Sequence, residues 1–109
     1  MVEFEEQAIY YVAFFVISGM TIEEVIASAP EALAAHLKRS KELQQQGNLL
    51  MAGALLHPTP GEPLMTMGVF PTRAAAEAYA AGDPFVLNGM VTDWYIREWA
   101  NILVESKAT

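Results

Sequence analysis

Ala8-Ile9-Tyr10-Tyr11-Val12-Ala13-Phe14-Phe15-Val16-Ile17-Ser18 is the run from which the fold can be read. Tyr, Val, Phe and Ile dominate it, the signature of a strand. Tyr10, Val12, Phe14 and Val16 point to one side of such a strand, and Ile9, Tyr11, Phe15 and Ile17 to the other. A strand that is apolar on both faces is covered on both faces. Whatever surrounds this run must therefore supply two layers of cover.

Working outward, the chain is acidic and loose over residues 1–7, an extension before the strand. Gly19 ends the strand, and Thr21-x-x-Glu24 has capping-box spacing for a short helical turn through Ser28. Ser28-Ala29-Pro30-Glu31 opens a longer helix, with Ser28 as its cap, that stops at Gly47-Asn48. On that helix Leu33, His36, Leu37, Ser40 and Leu43 share a face, opposite Glu31, Lys38, Glu42 and Gln45. Leu49 to His57 forms a second strand and Leu64 to Phe70 a third, antiparallel to it across the Pro58-Thr59-Pro60-Gly61 turn. Thr72 caps an Ala-rich helix through Ala81, and Gly82 marks its end. Pro84 starts one further turn. A last strand extends from Val91 to about Val104, long enough to accommodate a bulge. On it Trp94, Ile96, Ala100 and Ile102 oppose Tyr95, Arg97, Trp99 and Asn101.

The order β-α-β-β-α-β predicts an α+β, ferredoxin-like fold: a four-stranded antiparallel sheet with two helices on one face. Two helices cover only one side. The other side is equally apolar, so a second copy of the chain is expected to pack on it, giving a dimeric α+β barrel. Composition agrees. Of the 109 residues, 53% are hydrophobic and 17% charged, against roughly 45–50% and 25% in soluble domains. A single domain, 1–109, is expected, assembled as a homodimer or a higher oligomer.

Charge excludes other roles. The net charge of −7 and six scattered basic residues offer no patch for nucleic acid. Without cysteine there is no disulfide framework, thiolate nucleophile or thiolate metal site. The apolar run Ile9 to Ile17 is too short for a bilayer span, so no membrane association and a cytoplasmic location are expected. Glu5-Glu6 and Glu23-Glu24 lack a nearby His and read as solvated carboxylates rather than a metal site. His57 beside Pro58 reads as an exposed hairpin residue, and Met51, Met65 and Met67 as core filling.

The chemistry on offer is a histidine and an aspartate. His36 lies toward the edge of its helix's apolar stripe, and Asp83 is fixed between Gly82 and Pro84, on a corner at the same sheet face. A carboxylate that accepts from one imidazole nitrogen fixes the tautomer and leaves the other nitrogen free as a base. The plainer alternative is a helix cap at Asp83 and a His36 bonded to a backbone carbonyl. Spacing alone leaves both open. The corner at Asp83, Pro84 and Phe85 would wall a cleft with the first helix and the last strand. From that strand, Arg97 would contribute to binding, or else lie in a barrel core or dimer seam.

Ala35-His36-Leu37, Gly53-Ala54, Gly82-Asp83-Pro84-Phe85-Val86 before Gly89, and Val91-Thr92-Asp93-Trp94-Tyr95-Ile96-Arg97-Glu98-Trp99 together resemble the YCII-related (YciI-like) family, over roughly residues 8 to 103. The resemblance implies a dimeric α+β barrel with an active-site His–Asp pair at His36 and Asp83. It further implies a cofactor-independent lyase or isomerase type of proton transfer on a small aromatic or lactone-like substrate. The chain departs from members in carrying Ala29-Pro30-Glu31 where an Arg often precedes the histidine, and in its acidic extension. Both departures speak against an anionic substrate. Two functions of different class follow: a small enzyme with no cofactor, or a non-catalytic ligand-binding or protein-interaction module. An open pocket at His36 would favour the first and a packed one the second. A haem-binding barrel, ligated through His36 or His57, is the remaining reading.

Overall fold

The computed structural model describes residues 9–103; the expectation for residues 1–7 lies outside them. The elements are β1 (Ile9–Ile17), α1 (Ile22–Ser28), α2 (Pro30–Gln45), β2 (Met51–Ala54), β3 (Leu64–Phe70), α3 (Arg73–Gly82), α4 (Pro84–Leu87) and β4 (Asp93–Ala100). All four strands form one antiparallel sheet in the order β2-β3-β1-β4. This is the α+β, ferredoxin-like arrangement.

Local signals account for most boundaries. Thr21 and Glu24 exchange both capping-box bonds, Thr21 Oγ1 accepting from the Glu24 N–H and Glu24 Oε1 from the Thr21 N–H. Thr72 accepts from the Ala75 N–H to start α3. Contrary to the expectation from its spacing, Ser28 does not cap α2. Its hydroxyl turns back to the Val25 carbonyl at the end of α1, and Ala29 stands at the α2 N-cap position with no side-chain bond. Pro30 alone presets the first turn, needing no N–H partner.

Two strands are shorter than expected. β2 pairs only Met51–Ala54 with Thr66–Val69 before His57 turns into the left-handed region at φ 56°, exposed as expected. β4 stops at Ala100 because Asn101 folds its side chain onto the Leu103 N–H, a local turn that competes with the ladder. Its pairing with β1 is continuous from Ile9↔Ala100 to Val16↔Asp93, so the bulge allowed for is absent.

Register settles what faces what. Tyr11, Ala13, Phe15 and Ile17 lie under the helices. Val12 opposite Val69 and Arg97, and Phe14 opposite Met67 and Tyr95, lie on the helix-free side. The helix-side core has two parts. One gathers Ala13, Phe15, Leu49, Phe70, Ala76, Tyr79 and Ala80; the other gathers Ile17, Val25, Leu64 and Phe85. α2 bridges them, touching the first through Leu43 and the second through Ala32 and Leu33, and buries no residue fully. Beneath its middle, β2 and β3 present Ala52, Ala54, Thr66 and Gly68, too small to fill the gap. A cavity opens there.

Candidate functional site

The cavity between α2 and the sheet has a volume of about 430 Å³. Its walls are mostly apolar, among them Phe15, Ile17, Val25, Leu33 and Phe85, and its polar groups are His36, Ser40, Thr66, Tyr79 and Asp83. Among the described residues Asp83 is the one charged side chain that is buried. Burying a carboxylate is costly unless its oxygens find donors. Both do. Oδ2 accepts from the Phe85 N–H at 3.1 Å, and Oδ1 accepts from His36 Nδ1 at 2.5 Å. The cap and the His–Asp pair, alternatives in the sequence, are thus two uses of one side chain.

The corner that holds Asp83 is built locally. Asp83 ends α3 in extended conformation (φ −68°, ψ 130°) and caps α4, with Pro84 in the first turn fixing its direction. Phe85, 6% exposed, seals one side of His36, with ring centroids 5.2 Å apart. Tyr79 also approaches His36, edge-on, with ring centroids 6.2 Å apart. The His36 side chain remains 25% exposed, against 4% for Asp83, so the pair sits at the cavity's rim.

Tyr79 and Ser40 complete the polar lining. Ser40 follows His36 by one helical turn, and its hydroxyl lies 3.0 Å from the Tyr79 hydroxyl. Burial pushes the Tyr79 phenol above its ordinary 10.0; the Ser40 hydrogen bond opposes this, the Asp83 charge adds to it and Arg39 opposes it. Sequence reasoning placed Ser40 on the apolar stripe without giving it a role, and passed over Tyr79. The signal was available: a lone hydroxyl on that stripe, and the single aromatic residue of an Ala-rich helix.

Arg39 was also missed. Its guanidinium donates to the Tyr79 carbonyl and the Ala78 carbonyl, both at 2.9 Å, and lies 5.4 Å over the Tyr79 ring. A cation there suits the negative end of α3. It also ties α2, which has little core contact of its own, to the helix that carries Tyr79. Gly82 does not adopt the left-handed conformation expected of a glycine past a helix end; it is the last residue of α3. Its role is spatial, since a Cβ would stand 2.6 Å from Arg39 Nη2. Alanine in place of a helical glycine ordinarily gains about 1 kcal/mol. Here Gly82→Ala is expected to forfeit that gain and to cost up to about 1 kcal/mol, because it drives a twice-bonded guanidinium from its seat. In an Arg39→Met background the same change should become neutral or stabilising. Urea unfolding of the four proteins checks the reversal.

Two expected site residues lie elsewhere. Arg97 is paired with Val12 on the helix-free face, in a groove with Phe14, Met67 and Trp99, and does not line the His36 cavity. The sheet side of the cavity accordingly comes from β1, β2 and β3, not from β4. Pro84 shapes the corner without lining the cavity, whereas Phe85 lines it. His57 takes no part. Among the described residues no cluster of three or more His, Cys, Asp or Glu could hold a metal ion, and no helix is long and apolar enough to cross a membrane.

Residues 13–100 match the YCII-related domain. No curated protein sequence matches the chain. Among solved structures, it is similar to 5-chloro-2-hydroxyhydroquinone dehydrochlorinase from Burkholderia phenoliruptrix AC1100, in complex with 2,5-dihydroxybenzoquinone. That likeness has a TM-score of 0.58 and 14% identity, over 84% of this chain and 92% of that one. A dimeric protein of unknown function and ferredoxin-like fold from Bacteroides fragilis aligns at TM-score 0.50 and 12% identity, over 91% and 100% of the two chains. A putative antibiotic biosynthesis monooxygenase from Bacteroides thetaiotaomicron aligns at TM-score 0.52 and 13% identity, over 93% and 95%. At these identities the likeness is one of fold.

Proposed function

Because the chain belongs to the YCII-related domain family, we propose that it is a small enzyme that moves a proton on a neutral aromatic or lactone-like substrate, without a cofactor. The observation that carries this reading is the 2.5 Å contact of His36 Nδ1 with Asp83 at the rim of an open apolar cavity. Asp83 accepts the Nδ1–H and fixes the tautomer. Nε2 is then the ring nitrogen with a free lone pair. It takes a proton from an acidic C–H or O–H of the bound molecule, and Asp83 stabilises the imidazolium formed. Returning that proton to another carbon of the same molecule is an isomerisation; expelling a leaving group after its removal is a lyase reaction. The apolar walls exclude water and so strengthen both steps electrostatically.

The same reading includes the assembly and setting. The chain acts as a single domain and a homodimer, its helix-free sheet face packed on a second copy, in the cytoplasm. Arg97 on that face belongs to the seam between copies rather than to the substrate. A collapsed cavity would have favoured a binding module; the open one favours catalysis.

Solvent deuterium exchange tests the chemistry. In D2O, the protein is expected to accelerate exchange at the acidic carbon of α-angelica lactone, a neutral carbon acid, and His36→Ala to abolish the acceleration with the fold intact by far-UV circular dichroism. Equal acceleration by both proteins would discard His36 as the base.

A further inference from the structure

The cavity holds a second polar anchor, one helical turn from His36. Ser40 and Tyr79 meet hydroxyl to hydroxyl at 3.0 Å inside walls that are otherwise almost wholly apolar. Two hydroxyls carry two hydrogens, and their mutual bond uses one. The other is free to be donated, and the pair keeps lone pairs to accept with. Tyr79 holds its phenolic proton well into the alkaline range, so the anchor is a neutral donor throughout the physiological range. His36 and Ser40 stand four residues apart on α2, which separates their backbone positions by about 6 Å along the helix axis. The rest of the lining offers little to orient a ligand: Thr66 is on the floor, and Asp83 is already committed to His36 and the Phe85 N–H.

We propose that the Ser40–Tyr79 hydroxyl pair is a ligand-binding subsite, and that the molecule this cavity takes is an uncharged planar compound with two hydrogen-bonding groups at opposite ends. One end meets His36 Nε2 and the other the hydroxyl pair, with the apolar ring system between them. The inference rests on the proposed role of His36 and goes further, by naming what fixes the far end of the substrate. Charge supports the uncharged class. Among the described residues no Lys or Arg lines the cavity, Arg39 being turned onto the carbonyls of α3, while the Asp83 carboxylate stands at its rim. A carboxylate on the ligand would meet no cation and would be desolvated without return.

Binding of 2-naphthol and of naphthalene-2,7-diol, read by their own fluorescence and by the NMR shifts of the His36 ring, tests the subsite. The diol is expected to bind the native protein about three- to tenfold more tightly than the mono-alcohol, the worth of one additional hydrogen bond. Tyr79→Phe and Ser40→Ala should each narrow that preference, and the double variant should erase it while 2-naphthol still binds. Tyr79→Phe keeps the ring that packs against Phe15 and Phe70; Ser40→Ala, at a half-buried helical site, serves should the tyrosine variant fold poorly. Equal binding of the two compounds by the native protein, or a preference that survives in the double variant, overturns the subsite alone. Failure of both compounds to perturb His36 overturns it together with the small-molecule reading of the cavity.

Discussion

Trp99→Glu is expected to convert a dimer into single chains. Native protein should show twice the 11.9 kDa mass of the chain in light scattering, and the variant 11.9 kDa at the same concentration. On the helix-free face Met51, Tyr95 and Trp99 are 64%, 42% and 51% exposed in the isolated chain, around Val12, Phe14 and Val69. Covering the exposed half of one tryptophan is worth about 2–3 kcal/mol at ~25 cal/mol per Å². A two-fold interface contains each residue twice, so one substitution acts twice. The loss of about 5 kcal/mol, before the cost of burying two carboxylates, weakens association by more than a thousandfold. Because Trp99 is half exposed in the single chain, the fold should survive, and unchanged far-UV circular dichroism checks that. A native mass of 11.9 kDa would remove the second copy from the account.

The proposed dimer and the candidate site differ in how they were written into the sequence. β1 is apolar on both faces, and that alone required two covers, whichever face was which. The same symmetry hid the position of Arg97. Its neighbours on the strand face, Tyr95 and Trp99, were correctly grouped with it, but an apolar-apolar strand carries no mark of which side the helices take. Register with Val12 decides it. The corner at Asp83 was legible because Gly, Asp and Pro each constrain the backbone in a distinct way. The cavity was not, since it arises from what is missing: small residues at 52, 54 and 68 under the middle of a helix whose large side chains pack at its two ends. Gly82 shows the limit of local rules. The expected left-handed turn is a conformational argument, while the actual need is room for a guanidinium 43 positions earlier in the chain (82 − 39).

Asp83→Ala is expected to lower stability by about 3 kcal/mol, and Asp83→Asn by about half that. Alanine removes the α4 cap, the bond from the Phe85 N–H to Asp83 Oδ2, and because that donor is buried the loss stands at the upper end of a cap's worth, about 2 kcal/mol. It also leaves the His36 Nδ1–H without an acceptor, at about 1 kcal/mol. Asparagine offers one acceptor oxygen where two donors wait, so it satisfies either Phe85 or His36 but not both. For a domain of this size the alanine loss corresponds to a fall in Tm of roughly 10–15 °C, measurable by calorimetry. Stability alone would not separate a cap from a working carboxylate, so a second readout is needed. The short Nδ1–Oδ1 contact should give a far-downfield Nδ1–H proton resonance in the native protein, absent in Asp83→Ala and moved upfield in Asp83→Asn, where the charge-assisted bond becomes a neutral one. Deuterium exchange on α-angelica lactone should fall with that resonance in Asp83→Asn, although most of the stability is kept. If Asp83→Asn instead preserves both the resonance and the exchange rate, the carboxylate's charge contributes nothing to His36. Asp83 would then be a helix cap that happens to touch an imidazole, and the base would have to be argued without it.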